Sequence, residues 1–185
     1  MTSSPLRGRL VELWPLRVSD APALDRILRD RTATRFLPPR VRQETGRQFV
    51  TRILREQGRG EGTPFAIRPV GAEEPIGQTR LLNWSPLERE AEIGFWIRRK
   101  YWGRGFGAEA VWLACRFGFR SMSLHRIEAI VVVGNVGSRR VLENVGFQEE
   151  GRSRQSARLG ARWIDAWRFG LLRGELRDPY GRTHR

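Results

Sequence analysis

This chain of 185 residues contains a single cysteine, Cys115, two histidines and one lysine, Lys100. One cysteine forms neither an intrachain disulfide nor a cysteine metal cluster, and no metal is expected. Cys115 lies between Ala114 and Arg116 in an apolar helical pattern, where a free cysteine packs as a small hydrophobe. His125 begins a strand-like run away from the other motifs and His184 lies in the tail, so neither is a good general base. No apolar run reaches the roughly 20 residues that span a bilayer. The opening Met-Thr-Ser-Ser-Pro-Leu-Arg lacks the apolar core of a secretory signal. Cytoplasmic residence without a membrane partner is the expectation. Internal repeats and long linkers are missing too. The chain reads as one domain over 1–185, with a charged tail from 173 that ends in a mobile stretch.

What is present points to a folded, basic protein. A hydrophobic content of 39% and seven tryptophans argue against disorder. The formal charge of +14 is nearly all arginine and favours anionic partners: coenzyme phosphates, RNA or a nucleoprotein surface. The arginines are scattered along the whole chain, which also fits a solvated surface. Periodicity predicts an edge-like strand over 8–17, a helix over 20–29 with Ser19 as N-cap, and a helix over 43–57. Strands follow over 64–70, 75–82 and 91–97, a helix over 107–120, a strand over 126–133, a short helix capped by Asn135, and a last strand over 162–172. Such mixing implies an α/β domain with helices on both faces of the sheet.

Two segments carry the chemistry. In Arg99-Lys-Tyr-Trp-Gly-Arg-Gly-Phe-Gly-Ala-Glu-Ala110, glycines 103, 105 and 107 let a ligand approach the backbone at the start of a helix. The free N–H groups and positive dipole end of that helix suit a diphosphate. Arg104 adds charge at the rim, while the Phe106 side chain is expected to point into the core with its N–H toward the ligand. A dinucleotide fold is the competing reading, but the spacing is Gly-x-Gly-x-Gly and no convincing acidic residue follows about 20 positions on. No Gly-Lys-Ser/Thr follows, which excludes a triphosphate loop. The second segment, Asn135-Val-Gly-Ser138-Arg-Arg140-Val-Leu-Glu-Asn-Val-Gly-Phe147, lies one strand downstream.

Together, in this order and spacing, the two segments resemble the GNAT acetyltransferase superfamily, whose members acetylate amines with acetyl-CoA. The place three before Gly105, often Gln or Arg in that superfamily, holds Trp102, as in the Rim-type ribosomal-protein N-acetyltransferases. The runs 91–97, 161–175 and 13–30 resemble the same branch. The resemblance implies a mixed, mostly antiparallel sheet with helices on both faces and a splayed central strand pair. It also implies acetyl-CoA as co-substrate, held by Phe95, Trp96 and Ile97 along the pantetheine arm and by Gly103, Arg104, Gly105, Phe106, Gly107 and Ala108 at the pyrophosphate. Asn135 is read as a helix cap or as a group orienting coenzyme or substrate. Arg139 and Arg140 reach the phosphates or form a solvated face.

Direct transfer needs a neutral amine, a stabilised oxyanion and a stabilised leaving thiolate, and no enzyme nucleophile. Glu92 is the expected base, against the reading of an exposed strand carboxylate sharing a face with Glu90. Glu109 is expected to support the loop, and Asp165 is a lesser substrate-binding candidate. Leu142 occupies the place where many relatives carry a tyrosine acid. Ser138, near the positive helix end, is the expected thiolate partner; a capping bond to Asn135 is its structural alternative.

An N-terminal α-amine of a protein, ribosomal by the resemblance, is the expected acceptor, because a pKa near 8 needs little help from a base. The alternatives are a small-molecule amine or antibiotic acetyltransferase and a non-catalytic coenzyme- or RNA-binding module. Basic charge leaves ribosome or RNA proximity open. Trp163 and Trp167, exposed by their pattern, serve either a homodimer face or a substrate groove.

Overall fold

The computed structural model describes residues 4–181. One sheet carries apolar side chains on both faces, because successive residues of its central strands point to opposite sides. Eight strands, β1 (Leu6–Arg7), β2 (Val11–Pro15), β3 (Gly62–Pro69), β4 (Gly77–Ser85), β5 (Glu90–Ile97), β6 (Arg126–Val132), β7 (Gln148–Leu159) and β8 (Arg162–Leu172), lie in the order β1-β2-β3-β4-β5-β6-β8-β7. Only β5 and β6 run parallel. The helices among the described residues are α1 (Ala21–Leu28), α2 (Pro39–Gln43), α3 (Gly46–Gly58), α4 (Phe106–Ser121) and α5 (Val136–Val145).

Each face has its own cover. Helices α4 and α5 bury Leu81, Ile93, Ile97, Ile127 and Leu171 on one side. On the other, α1 and α3 bury Leu16, Ala66 and Trp96. The Trp96 ring stands edge-on to Phe49 with centroids 5.6 Å apart. Between β5 and β6 the pairing covers only Glu90 with Arg126, Ala91 with Ile127 and Glu92 with Glu128. From Ile93 onward the two strands part, and the sheet is open at its centre.

Several elements differ from the sequence expectations for identifiable reasons. The strand expected over 8–17 is shortened to β2 and preceded by a turn from β1, because the buried Glu109 carboxylate draws in the N–H groups of Arg9, Leu10 and Val11 at 2.6, 2.7 and 2.8 Å. Glu109 therefore secures this turn against α4, not the glycine loop directly. A short 3-10 turn over Val18–Asp20 precedes α1, so Asp20 and not Ser19 stands at its N-cap position. The helix expected over 43–57 is α3, and the short α2 before it was not anticipated. Thr45 starts α3 by accepting the Gln48 N–H at 3.2 Å while its own N–H donates to Gln48 Oε1 at 2.9 Å. Strand β7 escaped the periodic reading because most of its residues are exposed and polar.

The tail is held over residues 175–177, and the end expected to be mobile lies outside the described residues. Arg177 N–H donates to Val145 O at 2.8 Å, and Leu176 packs on the core. A Cβ on Gly146, whose φ is +108°, would sit 2.1 Å from Glu175 O, so this chain reversal requires glycine. His184 lies outside the described residues.

Replacing Glu109 with alanine strands three N–H groups and leaves a void beside Gly8. A loss of about 3 kcal/mol is expected for charge-assisted bonds of this kind, read as a lower urea midpoint at constant m-value. An unchanged midpoint would show that the hairpin is held by something else.

Candidate active site

The glycine loop ends in a helix start with no side-chain cap. Gly103 and Gly105 have φ of +69° and +83°, a region where a side chain is strained. Gly105 is the N-cap of α4, and the Glu109 N–H to Gly105 O bond at 3.0 Å is the first of the helix. The N–H groups of Phe106, Gly107 and Ala108 consequently have no acceptor within the helix. A Cβ on Gly103 would meet nothing within 4 Å, so the loop has open space above it. The Phe106 side chain is buried and stands edge-on to Tyr101 at 5.0 Å. Arg104 is exposed, its guanidinium 5.4 Å from the Phe106 ring. The Trp102 indole N–H donates to Ile97 O at 2.8 Å and ties the loop to the end of β5.

The open edge of β5 is specific in which groups it presents. Arg98 N–H bonds Ile76 O at 2.7 Å, beside β4. By alternation the N–H and C=O of Trp96 and Gly94 also face β4, where Trp96 is paired with Gln78. Phe95 and Ile97 turn theirs to the opening. The expectation that Trp96 offers its backbone to a pantetheine arm is thus corrected: its backbone belongs to the β4 ladder and its ring to the α1–α3 core.

The first turn of α4 packs against the middle of α5, since a Cβ on Gly107 would lie 3.4 Å from Val141 Cγ2. Asn135 is the N-cap of α5, with Oδ1 accepting the Ser138 N–H at 3.3 Å. The Ser138 hydroxyl carries no hydrogen bond to another described residue, so the capping bond engages its backbone and leaves the side chain available. Arg139 is occupied: it pairs with Glu143 at 2.8 Å and Glu149 at 3.1 Å and lies over Trp167 at 5.0 Å. Arg140 is exposed and has no ion-pair partner among the described residues. Leu142 is fully buried in the core.

Glu92 occupies the last paired position of β5 before the opening and shares a face with Gly94 and Trp96, the side of α1 and α3. Burial raises its carboxyl above the ordinary carboxylate value, opposed by the Asn83 hydrogen bond and by the charges of Arg80 and Arg168. Asn83 Nδ2 donates to Glu92 Oε2 at 3.1 Å from a residue with φ of +52°. Arg80 is fixed by Glu56 at 2.7 Å, Glu56 by Arg52 at 2.8 Å, and Arg52 by Glu44 at 2.6 Å. Neither Asn83 nor Arg80 stood out in the sequence. The one available signal was an arginine and an asparagine inside an otherwise apolar strand.

The remaining candidates take structural roles. Asp165 is engaged by the β7–β8 hairpin, accepting from Arg152 Nε and the Gln155 N–H at 2.8 Å each. His125 is exposed at the start of β6. Cys115 is fully buried, and burial pushes its thiol pKa up, so it is packing and not a nucleophile. Trp163 is exposed at 58%, whereas Trp167 is half-buried against the core, contrary to its expected exposure.

The starts of α4 and α5 thus follow the ends of β5 and β6, the two strands that part after Glu92. Residues 11–148 match the family described as the acetyltransferase (GNAT) domain. The uncharacterized N-acetyltransferase p20 of Bacillus licheniformis is 31% identical over 165 residues, 88% of this chain and 93% of that protein. The solved structure of Mycobacterium smegmatis RimJ in complex with CoA-disulfide is similar with a TM-score of 0.81 at 30% identity, over 91% of this chain and 84% of that one. A shorter match, 32% identical over 73 residues, covers 40% of this chain and 38% of the Escherichia coli [ribosomal protein uS5]-alanine N-acetyltransferase. The chain belongs to the GNAT acetyltransferase family. Within it, the chain is an N-acetyltransferase of the Rim-type branch. No helix among the described residues is long and apolar enough to cross a membrane.

The raised Glu92 pKa has a consequence for stability. The fold favours the protonated form, so ionisation costs stability as pH rises through that pKa. Glu92→Gln is expected to melt no lower than the parent at pH 7, with any gain vanishing near pH 4, about the unperturbed glutamate value. Melting curves at the two pH values check this; a large loss confined to pH 7 would mean that Arg80 makes the charged form stabilising.

Proposed function

We propose that the protein transfers the acetyl group of acetyl-CoA directly to the N-terminal α-amine of an acceptor protein, with a ribosomal protein as the best-supported acceptor class. The observation that carries this reading is the position of Glu92, where β5 and β6 part. A carboxylate there reaches the opening from the face of α1 and α3, while the starts of α4 and α5 reach it from the other. Support for the acceptor comes from the match to the uS5-alanine enzyme. The chemistry agrees: an α-amine with a pKa near 8 is substantially neutral at pH 7 to 8 and needs only a weak base.

The residues present fit the coenzyme. Acetyl-CoA supplies a thioester acetyl group and two amides in its pantetheine arm. The outward N–H and C=O groups of Phe95 and the N–H of Ile97 are free to bond such amides in strand fashion. The Phe106, Gly107 and Ala108 N–H groups suit its diphosphate, with open space over Gly103. Arg104 and Arg140, both exposed, are the cations available to its phosphates, whereas Arg139 holds α5 against β7. Glu92 takes the proton of the attacking amine, directly or through water. The Ser138 hydroxyl donates to the departing sulfur beside the positive end of α5. A serine stabilises that thiolate without fully protonating it, and the buried Leu142 leaves no tyrosine to do so.

Saturating acetyl-CoA is expected to raise the melting temperature by mass action, and Gly105→Val to remove the shift. The valine side chain would be strained at φ +83° and its Cβ would crowd Leu10 Cδ1 at 3.3 Å, displacing the start of α4. No shift in the parent protein would contradict the coenzyme assignment.

Glu92→Gln is expected to lower kcat several-fold or more at pH 7 with little change in KM for acetyl-CoA, the deficit shrinking as pH rises. Ser138→Ala is expected to lose kcat by an amount equivalent to about 1–3 kcal/mol, the range of a hydrogen bond to a charged group. Assays with N-terminal peptides and with polyamines separate the acceptor classes; turnover of polyamines alone would overturn the α-amine reading. Full kcat in Ser138→Ala would leave water as the thiolate partner.

A further inference from the structure

A second concave surface lies on the Glu92 side of the sheet. It is a groove of about 910 Å3 between the end of α1, the segment leading to α3, and the tip of the β7–β8 hairpin. Its charge is uneven. Both acidic groups in its wall are already neutralised: Asp25 by Arg29 at 2.6 Å, and Glu44 by Arg52 at 2.6 Å. Three further arginines in the wall, Arg31, Arg42 and Arg158, are exposed and have no ion-pair partner among the described residues. The groove therefore carries about three uncompensated positive charges from three different elements.

Two contacts join this groove to the reaction site. Glu44 begins the chain of ion pairs through Arg52 and Glu56 to Arg80, whose charge acts on Glu92. Phe36, in the segment between α1 and α2, lies 3.9 Å from the Cβ position of Gly134, immediately before Asn135. The segment between α1 and α2 thus borders both the groove and the start of α5.

We propose that the groove selects acceptor polypeptides carrying acidic residues a few positions after the amine, with Arg31, Arg42 and Arg158 as the groups that read them. The proposal rests on the α-amine reading above. Arginine forks match carboxylates in a bidentate way. The volume is that of a site for a short chain segment. No aromatic ring stands among the lining residues, so the groove offers no platform for stacking the bases of single-stranded RNA. The same charges repel a polyamine.

The test uses the full chain and two dye-labelled peptides with the same first residue, followed either by Asp and Glu or by Asn and Gln. One set has a free amine and the other an acetylated one. With free amines, the acidic peptide is expected to have a KM about ten-fold lower than the amide peptide at similar kcat. The difference should narrow as ionic strength rises from 0.05 to about 0.5 M, because exposed charges are screened over roughly a Debye length. With acetylated amines, fluorescence anisotropy should show the same preference in Kd. The combined variant R31Q/R42Q/R158Q should lose the preference in both readouts while keeping the acetyl-CoA melting shift, which shows that it is folded.

Equal Kd for the acidic and amide peptides, or a preference that survives in the variant, overturns the proposal. So does an oligonucleotide that binds more tightly than the acidic peptide through the same three arginines. Acidic peptides that bind by these arginines but are never acetylated would uphold the groove and overturn the α-amine reading instead.

Discussion

An open edge in the middle of a sheet is costly, because backbone N–H and C=O groups turned away from a partner strand must bond to something. In this protein the constraint falls on Phe95 and Ile97, whose polar groups face a gap that β6 has left. Much of the architecture follows from keeping that gap open and shaped. Trp96 anchors the same strand to the α1–α3 core, and the Trp102 indole holds the Ile97 carbonyl. The glycine loop then carries the chain from the end of β5 into α4 with three helix donors facing outward. Buried Glu109 in turn fixes α4 to the edge hairpin. The opened strand pair and the glycine loop are thus one construction.

Charge is organised around the same opening. Many of the arginines behind the +14 balance are spent on structure: Arg52, Arg68, Arg80 and Arg126 all hold carboxylates within the fold. An alternating chain from Glu44 to Arg80 crosses from α3 to β4 and ends beside Glu92. It keeps a cation near a carboxyl whose pKa burial raises, and so sets Glu92 between two opposing effects. Among the exposed arginines that hold no ion pair within the described residues, Arg104 lies in the glycine loop, Arg140 on α5, and Arg31, Arg42 and Arg158 in the wall of the groove.

The features with strong local causes could be read from the sequence. The Gly-x-Gly-x-Gly turn, the Asn135 cap and the Gly146 stop each depend on residues adjacent in the chain, and the structure places the helix ends at them. The buried strands β5, β6 and β8 were legible from their apolar density. Strand β7 was not, because a solvated edge strand of arginines, glutamates and serines carries no alternation. Helix α2 was missed because its five residues carry a single buried apolar side chain, Val41, too few to show a period. Long-range partners were equally invisible. That Asn83 and Arg80 attend Glu92 depends on strand register, and that Arg139 is occupied depends on β7.

Residue-resolved amide exchange tests the central claim that β5 presents an unpaired edge to the coenzyme. Without ligand, the N–H groups of Gly94 and Trp96 should exchange slowly through the β4 ladder, while those of Phe95 and Ile97 exchange faster. Added CoA should slow Phe95 and Ile97 together with Phe106, Gly107 and Ala108, and leave Gly94 and Trp96 unchanged. Phe95 and Ile97 already as protected as Trp96 without ligand, or indifferent to saturating CoA, would contradict the account.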